Sequence, residues 1–183
     1  MLRIVGISGS IGNPSRTRAL VENILIKTSQ KTHSKYDLID IAEIAAEVGS
    51  AISFDRIPQV VHDAYRKLYE ADIIVIATPV YKASYTGLLK HFFDLIDPKQ
   101  LSGKVAILAA TGGSDQHALV LESHLRPLAS FFGLITIPTA IYARDSEFVD
   151  YQLKSDAISN RINSVVEQVS RLFPLDQPQA LAA

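Results

Sequence analysis

Residues 2–17 read LRIVGISGSIGNPSRT. An apolar, β-branched run, Leu2–Ser8, gives way to small residues and a proline, then to Ser-Arg-Thr at the head of a segment with helical spacing. A buried strand that passes through a loop into a helix is the first half of a crossover unit, and such units build parallel sheets. The loop itself suits an anion such as a phosphate monoester. It offers the hydroxyls of Ser10, Ser15 and Thr17, the guanidinium of Arg16, and the free N–H groups of a helix start. The same residues also read as a plain helix N-cap, with Ser15 capping and Arg16 solvated. Neither the P-loop pattern, which needs a lysine after its glycines, nor the dinucleotide fingerprint G-x-G-x-x-G is present, so nucleotide hydrolysis loses its main support.

Outward from this unit the alternation continues. Strand-like runs fall at Tyr36–Asp40, Ile73–Thr78, Val105–Ala110 and around Thr139–Tyr142, nearly continuous in apolar residues as strands covered on both faces are. Helical spacing is found over Thr17–Thr28, Pro58–Glu70, Tyr85–Ile96, Gln116–Phe132 (with Leu119, Leu125 and Leu128 on its inner face) and Leu153–Phe173. Five strands and five helices predict an α/β three-layer sandwich: a doubly wound, flavodoxin-like parallel sheet of order 2-1-3-4-5, with helices on both faces. Residues 41–57 are expected to cover the sheet as a short helix plus a loop. Residues 1–173 are expected to form one domain, and 174–183, with two prolines and no period, a flexible tail.

Composition narrows the function. With 183 residues, 48% hydrophobic and 20% charged, the chain suits a single globular domain. There is no cysteine, which excludes disulfides, thiolate metal sites and a thiol nucleophile and points to a reducing cytoplasm; any redox chemistry must come from a cofactor. A net charge of −1 gives no attraction to nucleic acid or anionic membranes. No leader-like pattern and no apolar run of about 20 residues points to secretion or membrane insertion. His33, His62, His91 and His117 have no partners at metal-ligand spacing, so no metal is expected.

In a doubly wound sheet, ligands bind beyond the carboxyl ends of the strands. Three loops therefore carry the chemistry: Gly9–Thr17, Pro79–Gly87 and Thr111–Asp115. The second contains Tyr81 and Tyr85, whose faces suit a planar ring, although each tyrosine alone reads equally as half-buried packing. The third opens with Gly112-Gly113, where bare backbone can lie against a flat ligand, or simply turn.

Taken together, GSIGNPSRT, ATPVYKASYTGLLKHFFDL and ATGGS, in this order and spacing, with ARDSEFVDY after the last strand, resemble the NAD(P)H-dependent FMN reductase family. The likeness is nearest to reductases that supply reduced flavin to two-component alkanesulfonate or methanesulfonate monooxygenases. It implies that Ser10, Ser15, Arg16 and Thr17 hold the FMN phosphate. Pro79, Val80, Tyr81 and Lys82 would line the isoalloxazine, with Ser84 and Tyr85 near by, and Thr111, Gly112, Gly113 and Ser114 would meet its pyrimidine edge.

The resemblance implies hydride transfer from NAD(P)H to FMN by stacking, with no general acid or base. It also implies a homo-oligomer, dimer or tetramer, and transient service to an oxygenase that uses FMNH2. His124 matches a histidine that forms a π-bulge in the fourth helix at a tetramer interface, giving it a part in flavin transfer. Phe92, Phe93, Phe131 and Phe132 read as core or subunit interface. The alternatives are a quinone or azo reductase that retains its FMN, a flavodoxin-like electron carrier, which would normally be strongly acidic, and a regulatory module that only binds nucleotide.

Overall fold

Residues 1–174 are described by the computed structural model, so all but the first residue of the expected tail lies outside the described residues. β1 (Arg3–Ser8) runs through the middle of the sheet between β2 (Lys35–Asp40) and β3 (Ile73–Pro79), and β4 (Val105–Gly112) lies beyond β3, all parallel. The fifth place is shared by two short segments, β5 (Ile135–Thr136) and β6 (Ile141–Arg144), which pair with opposite ends of β4. The order 2-1-3-4-5 therefore holds, with the single last strand expected at Thr139–Tyr142 broken in two.

The cause of the break is local. Pro138 has no N–H to give to a ladder, and the guanidinium of Arg126 fills the gap. It donates to the Thr136 hydroxyl (2.8 Å) and to the carbonyls of Ile137 (3.3 Å) and Pro138 (3.2 Å). Glu122 orients Arg126 from the other side through two bonds of 2.5 and 2.8 Å.

Because side chains alternate along each strand, the sheet builds two cores. On one face Ile4, Ile73, Val75, Ile107 and Ile141 pack under α1 (Arg16–Thr32) and α6 (Asp156–Leu172). On the other, Val5, Ile7, Ile74, Ile76 and Leu108 pack under α2 (Ala45–Ser50), α3 (Gln59–Glu70), α4 (Gly87–Asp94) and α5 (Arg126–Phe131). α1 lies unusually close to β1: a Cβ at Gly6 would sit 2.4 Å from Val21 Cγ1 and 2.8 Å from Leu25 Cδ1, so only glycine permits the contact. The segment after β2 is a 3₁₀ turn, Ile41–Ile44, followed by α2 and a loop, much as expected of a covering stretch.

The segment expected as one helix over Gln116–Phe132 is three pieces: a 3₁₀ turn (Asp115–His117), a π-helical turn (Leu121–Leu125) and α5. The phase change corrects its inner face. Leu125 is buried and Leu128 partly so, but Leu119 is 73% exposed. Phe92, Phe93 and Phe132 are core, while Phe131 is 72% exposed.

Candidate functional site

The three loops expected to carry chemistry meet at the carboxyl ends of β1, β3 and β4. Loop one is tied to loop three by the hydroxyls of Thr17 and Thr111, 2.7 Å apart and buried. Loop one is tied to loop two by Thr86, whose hydroxyl donates to the carbonyl of Gly9 (2.6 Å) while accepting from the N–H of Leu89 as the N-cap of α4. The N–H of Val80 donates to the carbonyl of Thr111 (2.8 Å), joining loops two and three. These buried bonds make a rigid rim from segments far apart in sequence.

The rim encloses an open cavity of about 230 Å³. Of the residues singled out from the sequence, Ser10, Ser15, Arg16, Thr17, Pro79, Val80, Tyr81, Thr111, Gly112 and Gly113 all line it. Lys82, Ser84, Tyr85 and Ser114 do not. Lys82 and Ala83 occupy the tip of a tight turn that Tyr81 and Ser84 close by two backbone bonds. Ser84 Oγ lies 3.0 Å from Nδ1 of His124 in the π-turn, and Tyr85 meets the edge of the same imidazole. Ser114 gives its carbonyl to the hydroxyl of Tyr142 (2.6 Å), which holds the third loop in place. Burial, aided by Asp115 and Asp145, raises the pKa of that phenol and keeps it a donor.

At the head of α1, Ser15 accepts from the N–H of Arg18 (3.2 Å) and its carbonyl takes the N–H of Ala19 (3.1 Å). The amides of Arg16 and Thr17 remain as the orphan donors of the first turn. Arg16 passes over the ring of Tyr151, 5.2 Å from its centroid, and its Nη1 lies 3.8 Å from Asp145. Its Nε is buried with no partner among the described residues. A guanidinium with one buried N–H that has no acceptor among the described residues, set beside a helix N-terminus, suits an anion. A Cβ on Gly113 would meet nothing within 4 Å, so the third loop presents open space to whatever lies in the cavity. The donor set and the bare backbone fit a flavin mononucleotide, which has an anionic tail and a flat ring.

Reading the loops alone missed Gly12, Pro14, Asp145 and Tyr151, which also line the cavity. Asp145 and Tyr151 come from the stretch after β6, where a hairpin of β7 (Phe148–Val149) and β8 (Gln152–Leu153) turns through Asp150 and Tyr151, both with left-handed backbone. Only the ARDSEFVDY likeness pointed to this region. Among the described residues no group of three His, Asp or Glu side chains could hold a metal, and no helix is long and apolar enough to cross a membrane.

Sheet order and a cavity at the strand ends define an α/β protein of flavodoxin-like fold. The chain belongs to the NADPH-dependent FMN reductase family, whose profile matches residues 2–148. It is 41% identical over 172 residues to the NADH-dependent FMN reductase SfnF of Pseudomonas fluorescens (strain Pf0-1), spanning 94% of this chain and 92% of that protein. It is 43% identical over 172 residues to the NADH-dependent FMN reductase SfnE of Pseudomonas putida, with the same coverage. In three dimensions it matches an oxidoreductase from Corynebacterium diphtheriae at a TM-score of 0.86 and 30% identity, over 97% of this chain and 99% of that one. The chain is therefore an oxidoreductase that works with FMN and a reduced nicotinamide.

Proposed function

We propose that this protein, as one domain over residues 1–173, reduces FMN with NAD(P)H and supplies the reduced flavin to a partner monooxygenase acting on an alkane- or methanesulfonate. The observation that carries the reading is the buried Nε of Arg16, without a partner among the described residues, in a cavity where three loops converge. Similarity to the SfnF and SfnE reductases supports the choice of a reductase over an electron carrier.

FMN, when bound, supplies the ring that accepts a hydride from the reduced nicotinamide. Ser10, Ser15, Arg16 and Thr17 would hold its phosphate through hydroxyls, guanidinium and helix-start amides. Pro79, Val80 and Tyr81 would line the ring, with Lys82, Ser84 and Tyr85 near by. Thr111, Gly112, Gly113 and Ser114 would meet its pyrimidine edge, where N–H groups of this loop would favour negative charge without reorganising. No side chain moves a proton; the rigid rim acts by orientation. Exposed Phe54, Leu119 and Phe131 support burial against further copies of the chain in a dimer or tetramer, with His124 at that contact.

The test is steady-state NAD(P)H oxidation with FMN, FAD and riboflavin varied separately. A preference for FMN over riboflavin that disappears in Arg16→Ala is the expected result, and unchanged kinetics in that variant would overturn the phosphate assignment. Protein that stays yellow through purification and turns over quinones would instead favour a reductase that retains its flavin.

A further inference from the structure

Arg16 has a competitor for its charge inside its own cavity. Asp145 lines the same space, with Oδ1 3.8 Å from Nη1 of Arg16. The backbone that carries Asp145 is held by a built turn. Asp145 opens the 3₁₀ turn Asp145–Glu147, and Glu147 clamps that turn by accepting from the N–H of Arg144 (2.7 Å) and the hydroxyl of Ser155 (3.2 Å). With side chains 40% and 51% exposed, the Arg16–Asp145 pair contributes little to stability. Its consequence is electrostatic: the one guanidinium that lines the cavity among the described residues is already matched by a negative charge, and a phosphate arriving there meets both.

We propose that Asp145 is an internal counter-ion that weakens the grip on the flavin phosphate and so sets how readily flavin leaves the site. The proposal rests on Arg16 being the phosphate-holding residue. A reductase that passes its product to another enzyme must release it, and a fixed carboxylate beside the anion-binding guanidinium gives a grip that discriminates for phosphate without becoming permanent.

The experiment measures binding rather than turnover. Flavin-free full-length protein is titrated with FMN and with riboflavin, following flavin fluorescence at low salt, for the parent and for Asp145→Asn, Asp145→Ser, Asp115→Asn and Arg16→Ala. Asp115 pairs with Arg144 at the outer rim (3.3 Å), so its variant controls for a general loss of negative charge. Asp145→Asn and Asp145→Ser are expected to tighten FMN about three- to fivefold, the upper scale of one removed exposed charge contact. Riboflavin, which lacks the phosphate, should move less than about twofold, and Asp115→Asn should leave the FMN-to-riboflavin affinity ratio near that of the parent. A ratio unchanged in both Asp145 variants, or raised equally by Asp115→Asn, overturns the proposal. If Arg16→Ala collapses the ratio while the Asp145 variants do not raise it, only the counter-ion role fails. If Arg16→Ala leaves the ratio intact, the phosphate assignment falls and the counter-ion role with it.

Discussion

The hydroxyls of Thr17, in the first turn of α1, and Thr111, near the end of β4, lie 2.7 Å apart in an interior that leaves each residue at most 3% exposed. Among the described residues this is the one side-chain bond that crosses directly from the first loop to the third. Replacing Thr111 by Val leaves the Thr17 hydroxyl buried without its partner, at an expected cost of ~1–3 kcal/mol. Replacing both by Val removes the orphan, so the double variant should be no less stable than the worse single one. Urea unfolding of the four-member cycle reads this, and strictly additive costs would show that the two hydroxyls do not depend on each other.

Gly112 and Tyr142 form a second interlock. A Cβ on Gly112 would lie 2.2 Å from the Tyr142 hydroxyl and 3.2 Å from its ring carbon, and that hydroxyl holds the carbonyl of Ser114. Gly112→Ala should therefore displace the phenol, release the third loop and destabilise the protein by ~1–3 kcal/mol. Tyr142→Phe in the same chain removes the clashing oxygen, so the double variant should recover part of the loss. Recovery is measured by thermal unfolding, and a double variant as unstable as the sum of the singles would count against this geometry.

How far the sequence could be read follows from these contacts. The strand order was legible because each buried strand is a short apolar run with a helical segment after it. The loops at Gly9–Thr17, Pro79–Gly87 and Thr111–Asp115 followed from that order, since ligands collect where the carboxyl ends point. The broken fifth strand was not legible from apolar content, because the gap at Pro138 is filled by Arg126 from another element. Periodicity misplaced Leu119, because a π-turn rotates the residues before it relative to those after it; the π-turn itself was anticipated only through resemblance, at His124. Asp145 reaches the cavity from a 3₁₀ turn and Tyr151 from a left-handed hairpin corner occupied by Asp150 and Tyr151 rather than glycine, so no composition signal marked either.

Alkaline stability should be governed by tyrosine. The Tyr65 hydroxyl donates to the carbonyl of Phe92 (2.8 Å), and burial, with Tyr69 and Asp94 adding, holds its pKa above the ordinary 10.0. Tyr69 is raised as well, again chiefly by burial. The folded state keeps protons on these phenols that the unfolded chain loses, so their contribution is intact below pH 10 and is lost as pH rises beyond it. Lys104, lowered by burial, acts oppositely, gaining stability as pH rises towards 10.5. The net expectation is a fall in stability above about pH 10 that is shallower in Tyr65→Phe. Urea midpoints across that range test it, and an equally steep fall in the variant would remove Tyr65 as a cause.

The turn Tyr81–Ser84 stores backbone strain beside the cavity. Lys82 and Ala83 have φ of 50° and 67°, and the turn is closed by Tyr81 N–H to Ser84 carbonyl (2.9 Å) and the reciprocal bond (3.2 Å). Two successive left-handed residues make a turn in which glycine is favoured at the second position, and a Cβ there costs about 1 kcal/mol. Ala83→Gly relieves that cost but adds freedom to the unfolded chain, so the expected net gain is about 0.5 kcal/mol, or roughly 1–2 °C in Tm. Ala83→Val crowds the same conformation with a branched side chain and should lose at least about 1 kcal/mol. Because Tyr81 lines the cavity and Ser84 is held by His124, the valine variant should also weaken FMN binding while the glycine variant keeps it. Calorimetry and flavin titration of the pair decide the matter: a glycine variant less stable than the parent would mean that the turn is not strained at Ala83.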